Sequence, residues 1–346
     1  MPHLEKYSGQ SSRHECPKCH DKKSFTYYVG DDGEPISPIC GKCDHENNCG
    51  YHYTPKQFYN DNPEQRPKLS DNFKPTIQAQ APKPLCPISF RYVKRMASYK
   101  SAFCFFLYGL FGADILAYLM ALYAMGATDR QIIFWQIDIS GNVRTGKIMT
   151  YNSDGHRSKE RFPNWVHSVL KKQGLLGNDW ELSQCLFGEH LLKWEMNKGK
   201  TVAIVESEKT ALICAAVWPQ FVWLATGGKN NLQPEKLKVL EGRKVILFPD
   251  TDTKGLDDPN STFNQWNAKA KALPESCQYK VSDLLEKQAT PDQKAKGIDI
   301  ADWIVDEIQS ERLKPHLTNE MAAILLAERN PIVGKLISEL DLNPDR

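Results

Sequence analysis

Two stretches decide the fold: Thr201-Val-Ala-Ile-Val205 running into Glu206, and Lys244-Val-Ile-Leu-Phe248 running through Pro249 into Asp250 and Asp252. Each is a short aliphatic run of the kind found in strands buried on both faces. A third run, 221–225, lies between them, and helical spacing over 207–217 and 233–240 fills the intervals. Strands alternating with helices predict a parallel sheet with right-handed crossovers, hence an α/β fold. Three carboxylates then fall at the carboxyl ends of buried strands, where open α/β sheets bind ligands. Oxygen donors in that position suit Mg²⁺ or Mn²⁺ holding substrate phosphates, which points toward phosphodiester chemistry.

Around this frame the chain changes character several times. The 346 residues, 41% hydrophobic, suffice for one large domain or two to three smaller ones with real cores. A formal charge of +2 leaves nucleic-acid affinity to local basic patches. No run of 18 apolar residues occurs and Met1 to Gln10 is polar, so a cytoplasmic protein without membrane contact is expected. We read residues 1–59 as a zinc ribbon and 60–84, with Pro63, Pro67, Pro75, Pro82 and Pro84, as a semi-rigid linker. Residues 85–195 read as a mixed α+β region. Within it, two or three helices lie between Phe90 and Ala124, punctuated by Gly109 and Gly112, and a hairpin pairs Gln131–Asp138 with Val143–Tyr151. The α/β domain covers 196–312, and an amphipathic tail helix is expected within 313–346.

Cys16-Pro-Lys-Cys19 and Cys40-Gly-Lys-Cys43 are separated by 20 residues that contain the strand-like Ser24–Val29. Two such knuckles on a small sheet form the tetrahedral thiolate cage that Zn²⁺ prefers. A redox role for either pair is weaker, because neither follows a strand in a thioredoxin-like unit. His20, His45 and Cys49 lie close enough to replace one ligand, although a supporting role is the plainer reading. Lys18, Lys22, Lys23 and Lys42 with Phe25, Tyr27 and Tyr28 suit either a nucleic-acid surface or rings packed on the knuckles.

In the α/β region, Lys209 lies one helical turn beyond Glu206, and Thr226-Gly227-Gly228-Lys229 ends the middle strand. Backbone amides of a Gly-Gly turn beside a lysine suit a phosphate. A Walker motif is absent, and Asp250 to Ser261 fails as an EF-hand because Lys254 and Ser261 occupy ligand positions. Asp299 and Asp302 follow as a further metal ligand or as the cap of a helix. Arg144, Lys147, Arg157 and Arg161 give the hairpin region a cationic character, suited to phosphate contact or to a solvated edge.

Val205-Glu206-Ser-Glu208-Lys209-Thr-Ala, Thr226-Gly-Gly-Lys229, Phe248-Pro-Asp250-Thr-Asp252-Thr-Lys-Gly255 and Gly297-Ile-Asp299-Ile-Ala-Asp302-Trp303 together resemble the TOPRIM domain of bacterial and phage DNA primases. The cysteine region resembles the zinc ribbon that precedes TOPRIM there. The resemblance covers about 14–55 and 195–310. It implies a TOPRIM-type parallel sheet flanked by helices. Asp250 and Asp252 would hold Mg²⁺, Glu206 would assist proton transfer or metal binding, and Asp299 would be a further acid. It also implies primer synthesis from nucleoside triphosphates on single-stranded DNA, with a replicative helicase supplied in trans. Phe134–Asp138, Gly146–Met149 and Leu186-Phe-Gly-Glu-His190 look like a TOPRIM-containing family from mobile elements of Bacteroidetes. A TOPRIM nuclease and a catalytically silent DNA-binding adaptor are the rival readings.

Overall fold

The structure, a computed structural model, describes residues 2–45, 49–66, 86–177, 179–228 and 231–329. It divides into two units, Met1–Pro82 and Lys83–Arg346. Most of the expected linker, from 67 onward, lies outside the described residues.

The first unit is an antiparallel sheet of four short strands in sequential order, β1 (His3–Leu4), β2 (Phe25–Val29), β3 (Gly41–Cys43) and β4 (His52–Tyr53). Helix α1 (Pro55–Asp61) follows, started by a Thr54/Gln57 capping box with proline in its first turn. The unit's core is small: Cys16, Phe25, Cys43 and Cys49, with Tyr27 and Tyr51 packed against them. So few apolar side chains cannot hold a domain this small, which makes the cysteines structurally necessary.

The second unit opens with α2 (Arg91–Met96) and α3 (Ala102–Tyr123). By length and apolarity α3 would pass for a membrane span, with mean hydropathy 1.8. Its helical geometry, however, breaks at Gly112, where φ is 78°. Phe103, Leu107, Ile115, Leu119 and Tyr123 face the main core. An antiparallel sheet follows in sequential order, with β5 (Gly126–Thr128), β6 (Gln131–Ile137), β7 (Val143–Met149) and β8 (Asn164–Trp165), then α4 (Val166–Lys172). The expected hairpin is its centre. Ile132, Phe134 and Met149 on one face join the main core, and Ile133, Trp135 and Ile148 on the other form a second core with Val166 and Leu170.

The remaining elements build the parallel sheet: β9 (Val202–Val205), α5 (Glu208–Val217), β10 (Val222–Ala225), α6 (Pro234–Leu237), β11 (Lys244–Leu247), α7 (Thr262–Ala270) and β12 (Gln278–Val281). Strand order is β10-β9-β11-β12, all parallel. β9 and β10 are buried throughout, whereas β12 is an exposed polar edge that hydrophobic patterning did not reveal. After β9 the chain crosses one way to β10, and after β11 it crosses the other way to β12, so a topological switch point falls between β9 and β11. Helices α8 (Leu284–Gln288), α9 (Pro291–Lys296), α10 (Ile300–Gln309) and α11 (Asn319–Arg329) complete the unit. α10 packs on α5, and α11 packs on α3 through buried Met321, Ile324 and Leu325. The tail beyond Arg329 lies outside the described residues.

Leu186 to His190 ties these parts together. Phe187 pairs with Ala225 at the edge of β10, with N···O distances of 2.9 and 3.1 Å. The buried Glu189 carboxylate accepts the Ile139 and Leu186 amides at 3.1 Å each. His190 bonds the Leu122 carbonyl at the end of α3.

Candidate functional site

In the first unit, the sulfur atoms of Cys16, Cys19, Cys43 and Cys49 all lie within 4.8 Å of one another. The Cys16–Cys49 and Cys19–Cys43 separations are 3.6 and 3.8 Å. A tetrahedron with Zn–S bonds of about 2.3 Å has edges of about 3.8 Å, so this donor set fits Zn²⁺. Cys40, expected as a ligand, is not in the group; Cys49 takes its place. Cys40 lies just before β3 (Gly41–Cys43), its amide donating to the Ser37 carbonyl at 3.0 Å, and its sulfur is not among the four that close together. The Cys40 thiol is instead buried, which pushes its pKa up to about 11. Cys19 is the exposed member of the cage. The Asp21 amide and His45 lower its pKa to about 6, favouring the thiolate.

Gly41 permits a close approach, since a Cβ there would lie 2.5 Å from the Phe25 ring. The ring residues pack as structure. Phe25 is fully buried, Tyr27 stacks on His14 with centroids 4.0 Å apart, and the Lys18 ammonium donates to the Cys49 carbonyl at 2.7 Å.

In the second unit, Glu206 follows β9 while Asp250 and Asp252 follow β11, on either side of the switch point. Three contacts draw the α10 N-terminus to the same place. The buried Thr251 hydroxyl and amide donate to the Ile298 carbonyl at 3.2 and 3.0 Å. The Thr210 hydroxyl donates to Asp299 Oδ2 at 2.5 Å, and the Lys209 ammonium donates to Asp302 Oδ1 at 2.7 Å. Burial alone would lower the pKa of Lys209, but Asp299, Asp302 and Asp250 outweigh it and hold the pKa above its ordinary value. Lys209 is therefore a fixed cation inside the acidic crevice.

The acids differ in how far they are committed. Asp299 is the N-cap of α10, its Oδ1 accepting the Asp302 amide at 2.8 Å, so only its remaining lone pairs face the crevice. Asp252 organises the loop before α7, accepting the amides of Lys254 and Thr262 and the Thr262 hydroxyl. Burial works to raise the Asp252 pKa, but these bonds prevail and hold it below the usual range. Among the described residues the four cysteines are the only group of three or more metal-binding side chains gathered within 4.8 Å; the acids flank the crevice without closing that tightly. Their all-oxygen character still fits a hard divalent ion.

Most of the expected phosphate contacts are employed elsewhere. Gly227, with φ 77°, donates its amide to the Glu206 carbonyl at 2.9 Å, and the Gly228 amide faces the Thr226 hydroxyl at 3.5 Å. The turn is closed on itself rather than open to an anion. Lys147 pairs with the buried Glu208 at 3.0 Å and donates to the Gly227 carbonyl at 3.1 Å, joining β7 to this turn. Arg144 pairs with the buried Asp138 at 2.7 Å, organising the β6–β7 turn. Arg157 and Arg161 remain exposed, and Lys229 lies outside the described residues. Glu208, Thr210 and Thr251 fall within the quoted motifs, but their structural roles are not visible in them. Ser207 three residues before Thr210 signals the helix start, but nothing local reveals that Thr210 reaches a residue 89 positions away.

Two family models match parts of the chain: a zinc beta-ribbon finger over residues 2–64 and a domain of unknown function, DUF6371, over residues 101–251. No curated protein matches it. Among solved structures the chain is similar to the primase fragment of the bacteriophage T7 primase-helicase protein, at 13% identity and a TM-score of 0.41, over 87% of this chain and 96% of that one. It is also similar to the E. coli primase catalytic core, at 12% identity and a TM-score of 0.38, over 70% of this chain and 82% of that one.

Proposed function

We propose that the chain is a DNA primase-like nucleotidyltransferase with a TOPRIM-type catalytic domain, making short primers on single-stranded DNA during replication of phage, plasmid or other mobile DNA. The observation that carries this reading is Glu206 on one side of the β9/β11 switch point and Asp250 with Asp252 on the other, in a chain whose front end is a zinc ribbon. A divalent ion held by Glu206, Asp250 and Asp252, with Asp299 behind them, would neutralise charge developing on the α-phosphate of a nucleoside triphosphate. Glu206 takes the proton from the attacking 3′-hydroxyl. Lys209, held by Asp302, sets the local charge and orients the α10 cap. Arg157 and Arg161 supply the cations that remain available for phosphate. The bond formed joins the 3′-oxygen to the α-phosphorus, and pyrophosphate leaves. A helicase acting in trans is the expected partner.

One observation favours a second reading. Asp252 is engaged in the loop before α7, Asp299 caps α10, and the acids are not drawn tightly together, which suits a silent DNA-binding adaptor on the same fold. Incubating wild type and Asp250→Ala with single-stranded template, NTPs or dNTPs and Mg²⁺ separates the possibilities. Template-dependent oligonucleotides that disappear in the variant support primer synthesis. Strand scission would show a nuclease, and binding without either product would show the adaptor.

A further inference from the structure

We propose that the loop 152–163 leaving β7 is a platform for single-stranded nucleic acid, on which the Phe162 ring stacks against an unpaired base while Arg157, Lys159 and Arg161 meet the phosphates. Phe162 is 88% exposed, more than any other large apolar side chain among the described residues. A lone exposed ring needs no explanation by itself. This one stands in a loop whose three cations are also exposed and outnumber its two acids, Asp154 and Glu160. Arg161 makes one solvent-exposed contact, to Asp129 at 3.3 Å, and such pairs are weak enough to exchange for phosphate.

The loop is held from beneath. Asn152 donates to the His156 carbonyl at 2.9 Å, Ser158 donates to the Thr150 carbonyl at 2.9 Å, and Tyr151 pairs with Arg157. Gly155, with φ 78°, sits directly on the Phe106 ring, leaving no room for a side chain. A ring presented on a fixed loop loses little freedom on binding, and base stacking requires an unpaired face that a duplex does not offer. With Arg144 and Lys147 committed to internal ion pairs, the cations expected to act together divide into an inward pair that builds the fold and an outward set that meets the strand.

This inference rests on the nucleic-acid part of the function proposed above, and it is tested by binding rather than synthesis. The probe is fluorescein-labelled oligo-dT, titrated by anisotropy with the full-length zinc-loaded chain without nucleotides. Phe162→Ala is expected to weaken binding about five-fold or more with the salt dependence unchanged. Arg157→Ala/Arg161→Ala is expected to reduce the salt slope by one to two. Phe162→Trp should retain affinity and show quenched fluorescence on binding. Blunt duplex DNA should be indifferent to Phe162. Unchanged oligo-dT binding by Phe162→Ala, equal loss on duplex, or preference for anionic vesicles over oligo-dT would each overturn the proposal. Primer synthesis that survives with Phe162-independent binding sinks this inference alone. Phe162-dependent binding without synthesis sinks the primase reading alone.

Discussion

Cys40 and Cys49 are nine positions apart, and it is Cys49 that joins the cage. Cys43 on β3 reaches the cage, whereas Cys40, in the turn before that strand, does not, and Cys49 completes the set of four. Cys49→Ser should therefore reduce bound zinc below one per chain, while Cys40→Ser should keep it at one, as read by metal analysis of the purified variants. Asp138 shows the same dependence on surroundings. Burial pushes its pKa up, but the Asn142 amide and the Arg144 guanidinium outweigh burial and hold it below the usual carboxylate range. A carboxylate with a depressed folded pKa stabilises the fold fully above its unfolded value of about 3.9, and loses that contribution as the pH falls through the folded value. Asp138→Asn should thus cost about 2 kcal/mol at pH 7, with the gap to wild type closing toward pH 3 in urea denaturation.

Among the elements, β9, β10 and β11, the β6–β7 hairpin and the helices α3 and α5 were legible in the sequence, because each presents an apolar run with its own period to a buried surface. β12 was not, since an exposed edge strand carries no such signature. Asp299, read as a cap or a metal ligand, caps α10, whereas the capped starts of α1, α7 and α9 went unread. The joints between elements were not legible. Lys147 on β7 and Glu208 on α5 are 61 positions apart and meet over the Gly227 carbonyl. Lys147→Met should leave a buried, uncompensated carboxylate and destabilise the protein by about 3 kcal/mol, and Lys147→Met/Glu208→Met should recover a large part of it, as measured by chemical denaturation of the cycle. Equal destabilisation in the single and double variants would show that the pair is not the joint.

On the scale of the whole molecule, the two units owe their stability to different sources. The first has a core of four side chains, three of them cage cysteines; the second has a large core to which both the antiparallel and the parallel sheet contribute and a smaller one on the other face of the antiparallel sheet. Chelation of zinc from the full chain should abolish the transition of the first unit and leave that of the second in place, monitored by calorimetry together with hydrogen exchange. Loss of both transitions on chelation would refute this independence. Sequence alone determined the periodicities of the buried elements: which apolar runs become strands, that thiolates gather, and that acids stand at strand ends. These are local consequences of side-chain chemistry and a two- or 3.6-residue repeat. Only the tertiary structure decided which four sulfurs close on one point, which cations are consumed inside and which acids serve as caps, because those choices depend on contacts between residues far apart along the chain.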